Sequence, residues 1–195
     1  MRYVSIDIET TGLDRDNDQI IEFGAIIEDT KKPQSYEDSP KFHAYLKYDR
    51  YCGGAYALAL NQRIFDILAK GEDDDIMVST ELVPKFMEFL SLYGICGKFT
   101  VAGKNFRDFD HEFLINHHRY VNVDWVWDKF IRTERRVLDP AVLFWNPLED
   151  KVLPNQDTCL QRAGIEGKVD HTALGDAWQV IQLLRNKYLV TQIPI

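Results

Sequence analysis

The sequence predicts an α/β fold in which one mixed sheet, an antiparallel three-strand meander plus parallel strands, is flanked by helices. Three strand-like runs follow one another before residue 50, and helical patterns interleaved with short strands fill the rest of the chain. A length of 195 residues, with 45% apolar and 28% charged residues, suits one soluble domain with a sizeable core. We therefore expect a single domain over residues 1–195.

The first three strands follow from their residue types and alternation. Residues 2–9 are rich in β-branched and aromatic side chains. Because side chains change face at every residue of a strand, Asp7 and Glu9 share one face. The mostly apolar run 19–28 is typical of a strand buried on both faces. The alternating run 41–47 follows a Pro-containing link and completes the predicted meander.

Helical periodicity dominates the remaining chain. Apolar residues at helical spacing predict helices over residues 54–70, 80–92, about 108–120, 156–163 and 172–189. The first of these ends at Gly71, a residue type that commonly follows a helix. Short strands are expected at 99–102 and near residue 137, the second of them running into a short helix that reaches residue 143.

Composition excludes several functional classes. The net charge of −8, from 23 basic and 31 acidic residues, argues against a protein that coats nucleic acid by bulk charge. No apolar stretch reaches the ~20 residues that cross a bilayer, and the N-terminus enters a strand directly. Cys52, Cys96 and Cys159 are widely spaced and form no CxxC pair. We expect an intracellular, soluble and cytoplasmic protein without disulfides or a zinc site.

The acidic pair at the end of the first strand indicates a metal site. Two like charges held side by side repel each other unless a cation lies between them. Carboxylate oxygens of Asp7 and Glu9 would suit magnesium or manganese. Taken alone, the pair fits an exposed polar strand face equally well.

Two more acids extend this pattern. Asp110 lies at the opening of a predicted helix, directly after a short strand, and Asp176 lies in the first turns of the last helix. His171 precedes Asp176 by five residues, which on one helix places the two side chains about 140° apart. If His171 instead lies on the loop before the helix, it can swing over the site. Asp170 or Thr172 would then cap the helix.

Three motifs carry a resemblance to a known family. They are residues 7–14 (DIETTGLD), Asn105 with Phe109-Asp110 and Phe113-Leu114, and His171 with Asp176-Ala177. Together they resemble the motifs of the DEDD 3′→5′ exonucleases, and the histidine resembles the branch of bacterial proofreading exonuclease subunits, ribonuclease T and oligoribonuclease. The resemblance implies an RNase H-like fold and a single exonuclease domain. It also implies hydrolysis at 3′ ends of single-stranded DNA or RNA, with release of 5′ mononucleotides.

The resemblance also assigns roles to individual residues. It implies that two divalent ions, Mg²⁺ or Mn²⁺, are held by four carboxylates: Asp7, Glu9, Asp110 and Asp176. His171 would take the proton from the attacking water. Thr10 and Leu13 would contact the terminal nucleotide. Asn105 would either hydrogen-bond the substrate or order its own loop, and both roles stay open.

The second motif departs from the family pattern. The family spaces it as Asn-x-x-Phe/Tyr-Asp, whereas here one extra residue separates Asn105 from Phe109-Asp110. Asp108 stands at the usual distance but follows an arginine. We assign the metal role to Asp110, which follows an aromatic residue, and expect Asp108 to cap the helix. Asp108 as the ligand is the alternative.

Other functions stay open at this stage. The choice between DNA and RNA is not decided, nor is a homodimer or an association with a polymerase. A catalytically silent subunit that binds nucleic-acid ends is one alternative. Such a subunit is expected to lack one of the four carboxylates or the histidine, and all five residues are present here. Another two-metal phosphohydrolase acting on nucleotides is the second alternative.

Overall fold

A computed structural model of the chain describes residues 1–121, 126–166 and 171–190. Its centre is a mixed five-stranded sheet in the order β4-β3-β2-β1-β5. The strands are β1 (Arg2–Thr10), β2 (Ile20–Asp29), β3 (Lys41–Lys47), β4 (Ile76–Val78) and β5 (Thr100–Ala102). The first three form the antiparallel meander, while β4 pairs parallel to β3 and β5 parallel to β1. The predicted fold class is confirmed.

Helices cover both faces of this sheet. They are α1 (Ala55–Leu60), α2 (Gln62–Lys70), α3 (Leu82–Leu92), α4 (Asp110–Asn116), α5 (His118–Val121), α6 (Trp127–Phe130), α7 (Gln156–Ala163) and α8 (Ala173–Val190). Short 3-10 turns occur at Ser79–Glu81 and Pro140–Leu143. Among the described residues, no helix is long and apolar enough to cross a membrane.

The prediction of one continuous helix over 54–70 is wrong, because the chain breaks at Asn61 into α1 and α2. The Asn61 side chain is buried, and its amide nitrogen donates a hydrogen bond to the Thr10 carbonyl oxygen at 3.0 Å. This long-range contact holds the break against the end of β1. The predicted stop at Gly71 is confirmed by its left-handed backbone, with φ of 69°.

Three further differences involve short elements. The helix predicted over 108–120 begins at Asp110 and is interrupted before α5. Strand β4 was not predicted, since three residues are too few to show a periodicity. The expected strand near residue 137 is a single parallel bridge between Ala102 and Leu138, which extends the sheet beyond β5.

The alternation of β1 divides its side chains between two cores. Val4, Ile6 and Ile8 pack into the larger core beneath α3, α4 and α6. There the rings of Phe86 and Trp127 stack with centroids 5.6 Å apart. The opposite face of β1 lies under α8, and Asp7 and Glu9 therefore end on the α8 side of the sheet.

Helix α8 is fixed to that face along its length. The buried Ser5 hydroxyl donates to the Ala177 carbonyl oxygen at 2.8 Å. Further along, the Arg185 guanidinium donates to both oxygens of the buried Glu28 at 2.9 and 2.6 Å. Such bidentate pairs are strong and directional. The first turn of α8 is thereby held above the end of β1.

Candidate active site

The structure brings the four predicted carboxylates together. Asp7 and Glu9 come from the end of β1, and Asp176 comes from the first turn of α8, which lies on the same face. Asp110 is the first residue of α4, which follows β5, the parallel neighbour of β1. Burial, and then the negative charges of Asp110, Asp176 and Glu9, raise the pKa of Asp7 well above its usual value.

His171 lies outside α8, on the loop before it, as the second of the two alternatives requires. Its backbone is left-handed, with φ of 50°, a conformation that costs a non-glycine residue free energy and that is frequent at functional sites. One ligand atom each of Glu9, His171 and Asp176 lies within 4.8 Å of the others, close enough to share a metal ion. The Thr172 hydroxyl accepts from the Gly175 N–H at 3.1 Å and caps the helix; residue 170 lies outside the described residues.

The carboxyl groups of the site resist ionisation without a cation. Burial, and then the Asp176 and Glu22 charges, raise the pKa of Glu9 to about 7, against the opposing effect of Arg63. Burial raises the pKa of Asp110 to about 8, although backbone N–H groups and the Lys104 charge oppose the rise. Divalent cations relieve this repulsion, so the donor set fits hard metal ions such as Mg²⁺ or Mn²⁺.

These shifts predict how stability depends on pH. A carboxyl with a higher pKa in the folded than in the unfolded state destabilises the fold as it ionises, by about 1.4 kcal/mol for each unit of pKa difference. For Glu9 and Asp110 this loss develops between about pH 4 and pH 8. We expect the free energy of unfolding in chelator to fall between pH 5 and pH 9. Urea unfolding curves at several pH values measure it.

Manganese provides the control for that experiment. Metal binding requires ionised ligands, so added Mn²⁺ should stabilise the protein far more at pH 8 than at pH 5. The Asp110→Asn variant should show a shallower pH slope in chelator. A stability in chelator that rises steadily from pH 5 to pH 9 would contradict the electrostatic account.

Asp110, and not Asp108, lies among the carboxylates of the site. Asp110 is only 4% exposed, whereas Asp108 is exposed. The expected capping role of Asp108 is wrong, because no side chain caps α4. The extra residue is accommodated by a backbone turn instead: Asn105 has φ of 55°, and its carbonyl oxygen accepts from the N–H groups of Asp108 and Phe109.

The backbone of Asn105 orders its loop. Its N–H donates to the Asp139 carboxylate at 2.9 Å, and the other oxygen of that carboxylate accepts from the Ala141 N–H at 2.8 Å. The Asn105 residue is exposed. This geometry favours the loop-ordering alternative, and contact of its side chain with substrate stays a prediction.

The turn after β1 begins with buried residues and has an exposed tip. The buried Thr10 hydroxyl donates to the Gly12 carbonyl oxygen at 2.6 Å, and the Thr11 carbonyl oxygen accepts from the Gly54 N–H at 3.0 Å. Leu13, by contrast, is 87% exposed. Leu13 and Phe109 both line a cavity of about 390 Å³. The Leu13 side chain is therefore open to solvent, whereas the Thr10 side chain is occupied within the turn.

The sequence analysis missed three residues beside the site. Glu22, on β2, faces Glu9 across the β1–β2 pairing. Asn61, at the break, contacts the end of β1, and Arg63, at the start of α2, contacts Glu22. A charged residue, Glu22, near the start of a mostly apolar run was the one available signal; Asn61 and Arg63 carried none, because their contacts are long-range.

Close contact between β2 and α8 positions Asp176. A Cβ atom on Gly24 would lie 2.5 Å from the Ala173 backbone carbon, at the start of α8. Because backbone cannot move aside locally, Gly24→Ala should displace the first turn of the helix. Overpacking of this kind costs about 1–3 kcal/mol.

We expect Gly24→Ala to lower the free energy of unfolding by that amount and to weaken Mn²⁺ binding as well. Urea denaturation and metal titration measure the two effects. Gly97→Ala is the matched control, since a Cβ there meets nothing within 4 Å. Equal behaviour of the two variants would contradict the role of the contact.

Comparison of the sequence with known protein sequences gives two findings. Residues 4–52 match the model of the RNase T family, described as exonuclease. No curated protein sequence matches the chain.

Solved structures of nucleases share the fold over almost the entire chain. E. coli exonuclease I in complex with a 5cy-dT13 oligonucleotide superposes with a TM-score of 0.63 at 16% identity, covering 97% of this chain and 41% of that chain. Cell-death related nuclease 4 (CRN-4) gives 0.66 at 15% identity, covering 98% and 64%. Exonuclease I from Methylocaldum szegediense gives 0.63 at 18% identity, covering 96% and 41%.

The chain thus spans about two fifths of the length of the exonuclease I chains. At these identities the structural likeness concerns the fold. The resemblance predicted from the sequence is confirmed at two levels: residues 4–52 match the exonuclease family, and the chain has the RNase H-like fold of the exonucleases.

Proposed function

We propose that this protein is a metal-dependent 3′→5′ exonuclease of the histidine branch, with residues 1–195 acting as one exonuclease domain. It would hydrolyse phosphodiester bonds at the 3′ ends of single-stranded DNA or RNA and release 5′ mononucleotides. The observation that carries the proposal is the convergence of four carboxylates and His171 at the end of β1. The match of residues 4–52 to the exonuclease family supports it.

The metal ligands would be Asp7, Glu9, Asp110 and Asp176, holding two Mg²⁺ or Mn²⁺ ions. Such ions, when bound, activate water for attack and stabilise the departing 3′ oxygen. The raised pKa values of Glu9 and Asp110 support this assignment, because a site that disfavours its own ionisation favours a bound cation.

His171 would take the proton from the attacking water as a general base. It is exposed and stands on a loop next to Glu9 and Asp176, so its imidazole can reach a water molecule in the site. A positioned imidazole is a common general base in proteins. The carboxylates cannot fill that role while they hold cations.

The turn after β1 would select chain ends. Thr11 and Gly54 are hydrogen-bonded, and the Thr10 carbonyl oxygen accepts from Asn61, so the turn is held at the end of β1 and would close one side of the site. A terminal nucleotide can enter against Leu13, whereas a continuing chain would meet the turn. Leu13 would contact the last base by apolar packing, as expected for sequence-independent binding of single strands.

Single-stranded DNA is the first substrate to test, because E. coli exonuclease I has been solved with a dT13 oligonucleotide. A duplex end would have to fray first, at a cost of a few kcal/mol. The net charge of −8 gives no field that would attract long polyanions, so we expect weak binding away from the site.

The test uses 5′-labelled DNA and RNA oligomers with Mg²⁺, Mn²⁺ or chelator. We expect shortening by one nucleotide at a time, release of 5′ mononucleotides, no reaction in chelator, and a block by a 3′-phosphate. Binding without turnover would instead indicate a silent end-binding subunit. Hydrolysis of free nucleotides alone would indicate another phosphohydrolase, and cleavage of a circular single strand would indicate an endonuclease.

A further inference from the structure

A fifth carboxylate lies behind the four of the site. Glu22 is the direct partner of Glu9 in the antiparallel pairing of β1 and β2. Directly opposite residues of antiparallel strands point to the same face, so Glu22 shares the face of Asp7 and Glu9. Its side chain is 1% exposed, so water does not screen its charge.

Both oxygens of Glu22 have a side-chain nitrogen as partner. One oxygen lies 2.7 Å from Nε2 of His43, and the other accepts from the Arg63 guanidinium at 2.8 Å. Nδ1 of His43 lies 2.6 Å from the Asp75 carboxylate, and Arg63 also donates to the Tyr45 hydroxyl at 2.9 Å. These contacts point the Glu22 carboxylate toward β3 and α2.

The break between α1 and α2 places Arg63 there. Asn61, two residues earlier, is tied to the Thr10 carbonyl oxygen immediately after Glu9. One short segment therefore contacts both the end of β1 and the buried carboxylate on β2. The position of Arg63 relative to Glu9 is fixed by these two anchors.

We propose that Arg63 is a positioning residue for the metal ligand Glu9: by pairing with Glu22 it keeps this fifth carboxylate from acting as a competing ligand. The inference rests on the proposed function, since it concerns the metal site of that function. Without Arg63, the Glu22 oxygen that now accepts from the guanidinium would become available to a cation at Glu9, because carboxylate oxygens are preferred ligands of Mg²⁺ and Mn²⁺. The cation would then be bound more tightly but drawn away from the phosphate.

Opposite effects of two substitutions distinguish this role from a structural one. Arg63 acts electrostatically on Glu9, and loss of a positive charge near a divalent cation changes the binding of that cation on the order of tenfold. We expect Arg63→Met to bind Mn²⁺ about tenfold more tightly in calorimetric titration, while kcat on an oligonucleotide falls about tenfold or more and KM changes little. Glu22→Gln should bind Mn²⁺ about tenfold more weakly, because Arg63 then repels the ion unopposed.

The double variant Arg63→Met with Glu22→Gln removes both charges. It should restore Mn²⁺ affinity to within about threefold of the wild-type protein and recover most of kcat. Arg2→Met is the matched control, since it removes an exposed arginine at the opposite end of β1 and should change neither quantity.

Weaker or unchanged Mn²⁺ binding in Arg63→Met would overturn the proposal, as would a double variant that stays impaired. If Arg63→Met does not fold, Glu22→Gln decides: unchanged or tighter Mn²⁺ binding overturns the role, and weaker binding supports it. Absence of Mn²⁺ binding or nuclease activity in the wild-type protein would refute the proposed function itself. The role of Arg63 is instead tested by differences between the variants and the wild-type protein, so the two failures give different results.

Discussion

Asp110→Asn is expected to be close to inactive, whereas Asp108→Asn is expected to stay close to normal. Asp110 is buried among the carboxylates of Asp7 and Glu9, where an amide can neither offset the charge of a cation nor replace its ionised ligand. Asp108 is exposed and lines the same cavity as Leu13, a cavity that none of the four site carboxylates lines. Rates of 5′-labelled oligomer shortening under saturating Mn²⁺ measure both variants.

The two aspartates form a matched pair, because the same substitution is made two residues apart on one turn. Asp7→Ala, Glu9→Ala and Asp176→Ala should nearly abolish turnover in the same assay with the fold retained. Removal of one repelling charge should even raise the stability of the metal-free protein. Activity above about a tenth of the wild-type rate in Asp7→Ala, or an inactive Asp108→Asn beside an active Asp110→Asn, would refute the ligand assignment.

His171→Ala is expected to lose about 10²–10⁴-fold in rate, the usual contribution of a positioned general base. Its exposure and its place before α8 mean that little packing is lost, so metal affinity and stability should change little. Higher pH should partly restore the variant, since hydroxide then replaces water as the nucleophile. Single-turnover rates between pH 7 and pH 10 measure this recovery.

A structural or metal-binding role for His171 would give a different pattern. The imidazole lies within reach of a shared ion with Glu9 and Asp176, so loss of Mn²⁺ binding is the specific competing result. His118→Ala serves as the control: its ring contacts the Ile115 carbonyl oxygen on the helix after Asp110, and it should keep full activity. Weakened metal binding without a rate effect at saturating Mn²⁺ would make His171 a ligand.

Where residue pattern alone sufficed, the sequence determined the elements that carry the site. Alternation in β1 placed Asp7 and Glu9 on one face, and the meander of β1, β2 and β3 followed from strand length and turn composition. The resemblance of the three acidic motifs to those of the exonuclease family implied that Asp110 and Asp176 meet the pair. Local periodicity fixes which face a side chain occupies, so the placement of Asp7 and Glu9 needed no tertiary contact.

Only the tertiary structure decided how the site is supported. The contact of Asn61 with Thr10 joins residues 51 positions apart, and the pairing of Arg63 with Glu22 joins residues 41 positions apart. Gly24 determines how closely α8 approaches the sheet, and hence where Asp176 lies. A backbone turn at Asn105, which no residue periodicity encodes, leaves Asp108 exposed and Asp110 buried among the other carboxylates. Such contacts depend on which segments pack together, and no periodicity or local residue pattern encodes that packing.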